Sequence, residues 1–262
     1  MRDPLLVSRI RAALRGDAEV VGVATLRELG AMVGHVRHLH VLILEGTDRE
    51  GAYAESMVRR LSESDIAVVV SCRAGVAWSP AIRDLALAGA REFLFQDIDD
   101  YGAAIRSIVL AAAHSSTADH VLDKFLPWVP TSLHEFVRYA IRFPQDGRHV
   151  ADIARALAVH RKTLFNQARA AGGPAPAELL AWSRLALAGG YLAKYPSRTI
   201  ESIANELEFA SVNSLRNMMK RYTGLRASQV RASGGCSLVI RAYAQATGQN
   251  GTREERRRDM EA

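Results

Sequence analysis

The chain has 262 residues, 48% of them hydrophobic, and a formal net charge of +6, which is enough for two domains of ordinary size, each with its own core. No run approaches the roughly 20 apolar residues of a membrane span, no basic-then-apolar leader opens the sequence, and Cys72 and Cys236 stand too far apart for a disulfide framework or a metal knuckle; a cytoplasmic protein is expected. The charge is split: residues 1–120 hold 13 Arg and Lys against 16 Asp and Glu, a net of −3, and residues 121–262 hold 21 against 12, a net of +9. A basic module carried by a mildly acidic one fits a polyanion-binding domain joined to a regulatory or assembly domain.

From residue 19 short apolar runs alternate with helical stretches. Residues 19–25 (EVVGVAT), 40–45 (HVLILE), 66–71 (IAVVVS) and 92–95 (EFLF) read as strands, nearly continuous in apolar character as strands buried on both faces must be. Residues 26–33, 52–61, 80–88 and 99–113 read as helices between and after them. This βα alternation argues for a parallel sheet covered on both sides. His35, His38 and His40 lie close together without a fourth ligand at zinc-site spacing, so polar residues at a strand entrance are the expectation rather than a metal site. Cys72 has no flanking basic motif to make it a nucleophile. No glycine-rich phosphate loop and no Gly-x-Ser-x-Gly elbow occurs, and no catalytic residue, metal or cofactor is expected.

The element order and the run Ala88-Gly89-Ala90-Arg91-Glu92-Phe93-Leu94 resemble a bacterial response-regulator receiver domain, with Pro4-Leu5-Leu6-Val7-Ser8-Arg9-Ile10 similar to the start of its first helix. The resemblance implies a flavodoxin-like sheet over residues 1–114, lacking its first strand. It also implies where phosphorylation chemistry would sit, and there the sequence departs. The third strand ends in Glu45 instead of an aspartate, the fourth in Ser71, and Gln96 stands at the lysine position; Met1 and Arg2 fall at the acidic-pair positions, with Asp3 just after. An acyl phosphate needs a well-placed carboxylate, a divalent cation on oxygen ligands and a nearby cation. A pseudo-receiver serving dimerisation or protein contact is therefore expected.

Residues 115–130 read as a linker: Ser115-Ser116-Thr117 as a flexible run, then an apolar segment broken by Pro127 and Pro130, which favours extended backbone, with Trp128 as an anchor. A helix over 133–143 opens the next domain. Between residues 149 and 231 one short design then appears twice. Val150, Ile153, Ala154 and Leu157 fall at helical spacing, followed by a break and by Thr163, Leu164 and Ala168; Ile200, Ile203, Ala204 and Leu207 are followed by a break at 208–210 and by Leu215, Met218 and Met219. Each copy predicts two helices about a tight turn, with a small residue, Ala154 or Ala204, letting the second helix cross closely. That second helix keeps a polar side: His160, Arg161, Lys162, Phe165 and Asn166 in one copy, Asn213, Ser214, Arg216 and Asn217 in the other. Such a side suits a helix lying in a major groove. A helix over 176–195 joins the copies and sets their separation, for which one DNA turn of about 34 Å is natural. Gly189 and Gly190 in it are expected to permit close packing or bending, and Ser197 or Thr199 to cap the helix that follows.

Residues 132–231 resemble the DNA-binding domain of the AraC/XylS transcription regulators, most specifically in Phe209-Ala210-Ser211-Val212-Asn213-Ser214-Leu215-Arg216, in Lys220-Arg221-Tyr222-Thr223-Gly224-Leu225-Arg226-Ala227-Ser228 and in Arg231. Glu208 stands where that family commonly has glycine, Met218 and Met219 replace an aromatic pattern, Ala227 a proline and Val230 an aromatic residue. The combined expectation is an α/β domain (1–114), a linker (115–130), an all-α domain of two helix-turn-helix units (131–233) and a tail (234–262). The resemblance implies a bacterial regulator, with double-stranded DNA, a second copy of the chain and RNA polymerase as partners and with Arg161, Lys162, Asn166, Asn213, Ser214, Arg216 and Asn217 on the DNA. Two rival readings stay open: a phosphorylated response regulator of the same architecture, and an adaptor whose helical domain binds a transcription protein rather than DNA.

Overall fold

The computed structural model describes residues 4–23, 41–46, 55–62, 66–72, 79–96, 98–99 and 101–248, and the chain divides into two compact units, Met1–Thr117 and Ala118–Ala262. In the first unit three strands, β1 (Val41–Glu45), β2 (Ala67–Cys72) and β3 (Glu92–Phe95), pair in parallel in that order. β2 is buried along its whole length, which its unbroken apolar run required. Successive side chains of a strand point to opposite faces. Ala67 and Val69 accordingly join Leu6 and Ile10 of helix α1 (Pro4–Ala13) and Ile105 and Val109 of helix α4 (Gly102–Phe125). Val68 and Val70 meet Val58 of α2 (Glu55–Ser62) and Leu85 of α3 (Ser79–Leu87) on the other face. Both β-α-β crossings put their helix on the same face, as crossovers of one hand do.

The structure departs from three expectations. Residues 19–23 form no strand: the Val20 carbonyl accepts from Arg11 Nε at 3.2 Å and its side chain packs on the α1 core, while Val21 is 56% exposed. Thr25, the expected helix 26–33, the three histidines and residues 1–3 lie outside the described residues. Second, the run expected as a flexible linker is helical, because α4 continues to Phe125 and the unit boundary falls within it. Thr117 there donates to the Ala113 carbonyl at 2.9 Å, the bond by which a hydroxyl residue fits inside a helix. Pro127 sits in the first turn of a 3₁₀ segment, Leu126–Trp128, where no helical acceptor awaits its missing N–H. Third, the expected tail begins with a packed helix, Cys236–Ala246.

The second unit is all-helical: α5 (His134–Arg142), α6 (Val150–Ala156), α7 (Arg161–Ala170), α8 (Pro176–Lys194), α9 (Ile200–Glu206), α10 (Val212–Thr223), α11 (Ala227–Ala232) and α12 (Cys236–Ala246). α8 is buried nearly all round, from Leu179 to Leu192, and one hydrophobic core runs from the end of α4 to α12 about it. Trp182 on α8 meets Tyr222 at 4.9 Å and Tyr243 at 5.6 Å edge to face, and Tyr243 meets Phe125 at 5.0 Å. The glycine of α8 that makes this arrangement possible is Gly189, whose imagined Cβ would lie 3.0 Å from the Gly235 carbonyl carbon and from the Cys236 nitrogen at the start of α12. Close approach, and not bending, accounts for it.

Candidate nucleic-acid interface

The two helix pairs, α6–α7 and α9–α10, are built alike down to single hydrogen bonds. α6 ends where the Ala158 and Val159 N–H groups reach back to the Arg155 and Ala154 carbonyls at 3.1 and 2.9 Å; α9 ends with Glu208 and Phe209 reaching Asn205 and Ala204 at 3.1 and 2.9 Å. This double bond pattern requires a left-handed residue just past the helix, and both copies have one, Ala158 at φ 54° and Glu208 at φ 55°. Neither is glycine, so each turn carries a local cost of about 1–2 kcal/mol. Ala154 and Ala204 are buried where the second helix crosses, and Leu164 and Leu215 pin that helix to the core.

Helix entry is also matched in kind. His160 Nδ1 accepts from the Lys162 N–H at 3.1 Å and Ser211 Oγ from the Ser214 N–H at 3.0 Å, each an N-terminal cap of a second helix. Thr199 Oγ1 caps α9 through the Ser202 N–H at 3.0 Å, the role anticipated for it, and Asp152 accepts from the His149 N–H at 3.1 Å to start α6. The second loop has one residue more than the first: the cap follows the left-handed residue by two positions at His160 and by three at Ser211.

α7 and α10 bury one side and leave the other to solvent. Arg161, Lys162, Asn166, Asn213, Arg216 and Asn217 are exposed; Ser214 is half-buried. Asn166 and Asn217 stand at the same place, each the sixth residue of its helix and two beyond the pinning leucine. Thr163, read in the sequence as part of the apolar period, is exposed, while Phe165, read on the polar side, packs half-buried against the core with the Arg161 guanidinium 5.4 Å from its ring centre. Sequence reasoning passed over Arg169 and Lys220, exposed cations three residues beyond each asparagine. Aligning the two copies on their leucines would have found them.

Polar anchors hold the second copy in place. Arg184 of α8 donates from one nitrogen to the Leu207 and Glu208 carbonyls, at 2.9 and 2.7 Å, and lies over the Phe209 ring at 4.6 Å. Burial and then the neighbouring Arg148 lower its pKa, and the Glu208 carboxylate opposes them. Arg231 donates to the Pro196 and Arg198 carbonyls at 3.2 and 2.7 Å, tying α11 to the loop before α9. Arg198 in turn pairs with Glu206. Ala227 and Val230, which replace larger residues in the resembled pattern, are both buried in the common core.

In the first unit Glu45, Ser71 and Gln96 come together at the C-terminal ends of the strands. Glu45 is the register partner of Ser71 across β1 and β2, and Gln96 Nε2 donates to Ser71 Oγ at 3.0 Å. Burial and then Asp99 push the Cys72 thiol up to about 11. Among the described residues no group of three or more His, Cys, Asp or Glu side chains is placed to hold a metal ion, and no helix is long and apolar enough to cross a membrane.

No curated protein and no solved structure matches the chain. Residues 153–233 do match one protein-family model, described as a helix-turn-helix domain and of the AraC type, and that stretch runs from the fourth residue of α6 through the joining helix to the end of α11.

Proposed function

We propose that this chain is a sequence-specific, DNA-binding transcription regulator of AraC type, in which α7 and α10 enter successive major grooves on one face of the duplex. The observation that carries this reading is the repeat itself: two helix pairs whose first helices end in the same hydrogen-bond pattern and whose second helices expose an asparagine at the same position, on a stretch that matches a helix-turn-helix family. Asn166, Asn213, Ser214 and Asn217 read base edges; Arg161, Lys162 and Arg216 divide between guanines and phosphates. α8, 19 residues long, spans about 28 Å and suits recognition helices one DNA turn apart. The first unit acts without phosphorylation, as a surface for dimerisation or protein contact, and RNA polymerase is a partner of the DNA-bound form in a bacterial cytoplasm. The Gln96–Ser71 bond supports this, since a neutral amide occupies the place where the resembled family carries a lysine.

Mobility shift on promoter fragments tests the reading. A shift that weakens steeply with salt is expected, and Asn166→Ala or Asn217→Ala should each cost about 1–3 kcal/mol of discrimination between specific and random duplex. Equal loss on both duplexes would argue against base reading by these asparagines, and no shift at all would argue for the adaptor reading instead. Incubation with a small phosphodonor should leave no acid-labile phosphate on the protein.

A further inference from the structure

Glu208 occupies a left-handed turn that glycine would enter more easily, and its side chain does something the equivalent Ala158 has no means to do. Its carboxylate takes Nη2 of Arg148 at 2.9 Å. Arg148 lies two residues before α6, at the mouth of the first helix pair, and its Nε is fixed on the Gln145 carbonyl at 3.1 Å. The carbonyl of the same Glu208 is held by Arg184 from the joining helix. Three segments therefore converge on one residue: the entrance of the first pair, the joining helix, and the turn of the second pair. Two arginines crowd together there, and the Glu208 carboxylate is the charge that lets them do so.

We propose that Glu208 and Arg148 are positioning residues that lock the two helix pairs in register across Arg184, so that the protein selects its DNA by the separation of the two half-sites as well as by their sequence. This rests on the DNA-reading function proposed above. The pair is partly exposed, at 54% and 36%, so the preference it enforces is modest and weakens with salt.

The test uses the full chain and a two-half-site duplex obtained by selection from random sequence. Affinity is measured for that duplex, for versions lengthened or shortened by one and two base pairs between half-sites, and for a duplex with the first half-site alone. Wild type should bind the selected spacing best. Glu208→Gln and Arg148→Ala should lose about three- to fivefold on the selected spacing, lose nothing on the single half-site, and show a flatter dependence on spacing. The exchange Arg148→Glu with Glu208→Arg should restore part of the preference. Glu208→Gly, whose backbone fits the turn, controls for folding and should show the same flattening with an unchanged or higher Tm. A wild type that discriminates spacing beside variants that discriminate it equally overturns the lock alone. A wild type that binds two half-sites no more tightly than one overturns the paired reading, and the lock with it.

Discussion

The two helix pairs share a backbone plan and differ in what surrounds it. The first is seated chiefly by apolar side chains, Leu157, Val159 and Phe165 lying half-buried against the core beside the fully buried Ile153 and Leu164. The second adds a shell of guanidinium groups, Arg184 on its turn, Arg231 on its entrance and Arg198 on its first helix. A repeated fold can thus be stabilised in two ways, by area removed from water or by backbone carbonyls satisfied from neighbouring helices. The second way is directional, and it fixes orientation more tightly than burial alone.

That contrast can be broken most directly at the pinning leucines. Leu164→Ala and Leu215→Ala should each cost about 2–5 kcal/mol in thermal or denaturant unfolding, since both leave a cavity in the shared core; near-equal losses would show that the apolar seat is common to both copies. Arg184→Ala should cost about 1–3 kcal/mol, because two carbonyls lose their donor and Phe209 loses its cover, and Arg184→Lys should fail to rescue it. Hydrogen exchange at α9 and α10 should rise in that variant while α6 and α7 stay protected. Ala158→Gly should stabilise by about 0.5–1 kcal/mol through relief of the left-handed turn. Glu208→Gly should gain less, since it also gives up the Arg148 pair. The smallest effect at neutral pH concerns Tyr191, whose pKa burial and then Glu206 raise well above its ordinary value near 10. A pKa raised on folding means stability that is complete below about pH 10 and lost above it. Tyr191→Phe should therefore reduce the alkaline sensitivity of unfolding, and an unchanged pH profile would show that ionisation of Tyr191 is not coupled to unfolding.

Periodicity made both helix pairs legible before any coordinates, because Val150, Ile153 and Ala154 and their later counterparts are short local patterns on one helical face. β1 to β3 were legible for the same reason, as apolar runs between polar breaks. What stayed hidden depends on neighbours remote in sequence. The run 115–117 looks like a linker by composition, yet it lies within α4, where the Thr117 hydroxyl donates to the Ala113 carbonyl. Residues 19–23 have strand-like composition, but a guanidinium from α1 takes the Val20 carbonyl that a ladder would use. Arg148 and Arg184 carry no local signal at all; only the folded chain shows that both reach residue 208. The exposure of Arg161, Lys162, Asn166, Asn213, Arg216 and Asn217 was readable because it follows from the helical period, whereas the half-burial of Phe165 needed the core beneath it.

The contact of Gly189 with Gly235 bears on how this protein can be divided. The helix-turn-helix match ends at residue 233, before α12 begins, and starts after α4 and α5 have ended. A fragment cut at those limits would strip Tyr243 from Trp182, lose the Phe125 that packs on Tyr243, and leave one side of α8 wet. Such a piece should clump on expression, while one running from residue 118 to 248 keeps its aromatic lid without the first-unit half of α4 and should stay dispersed.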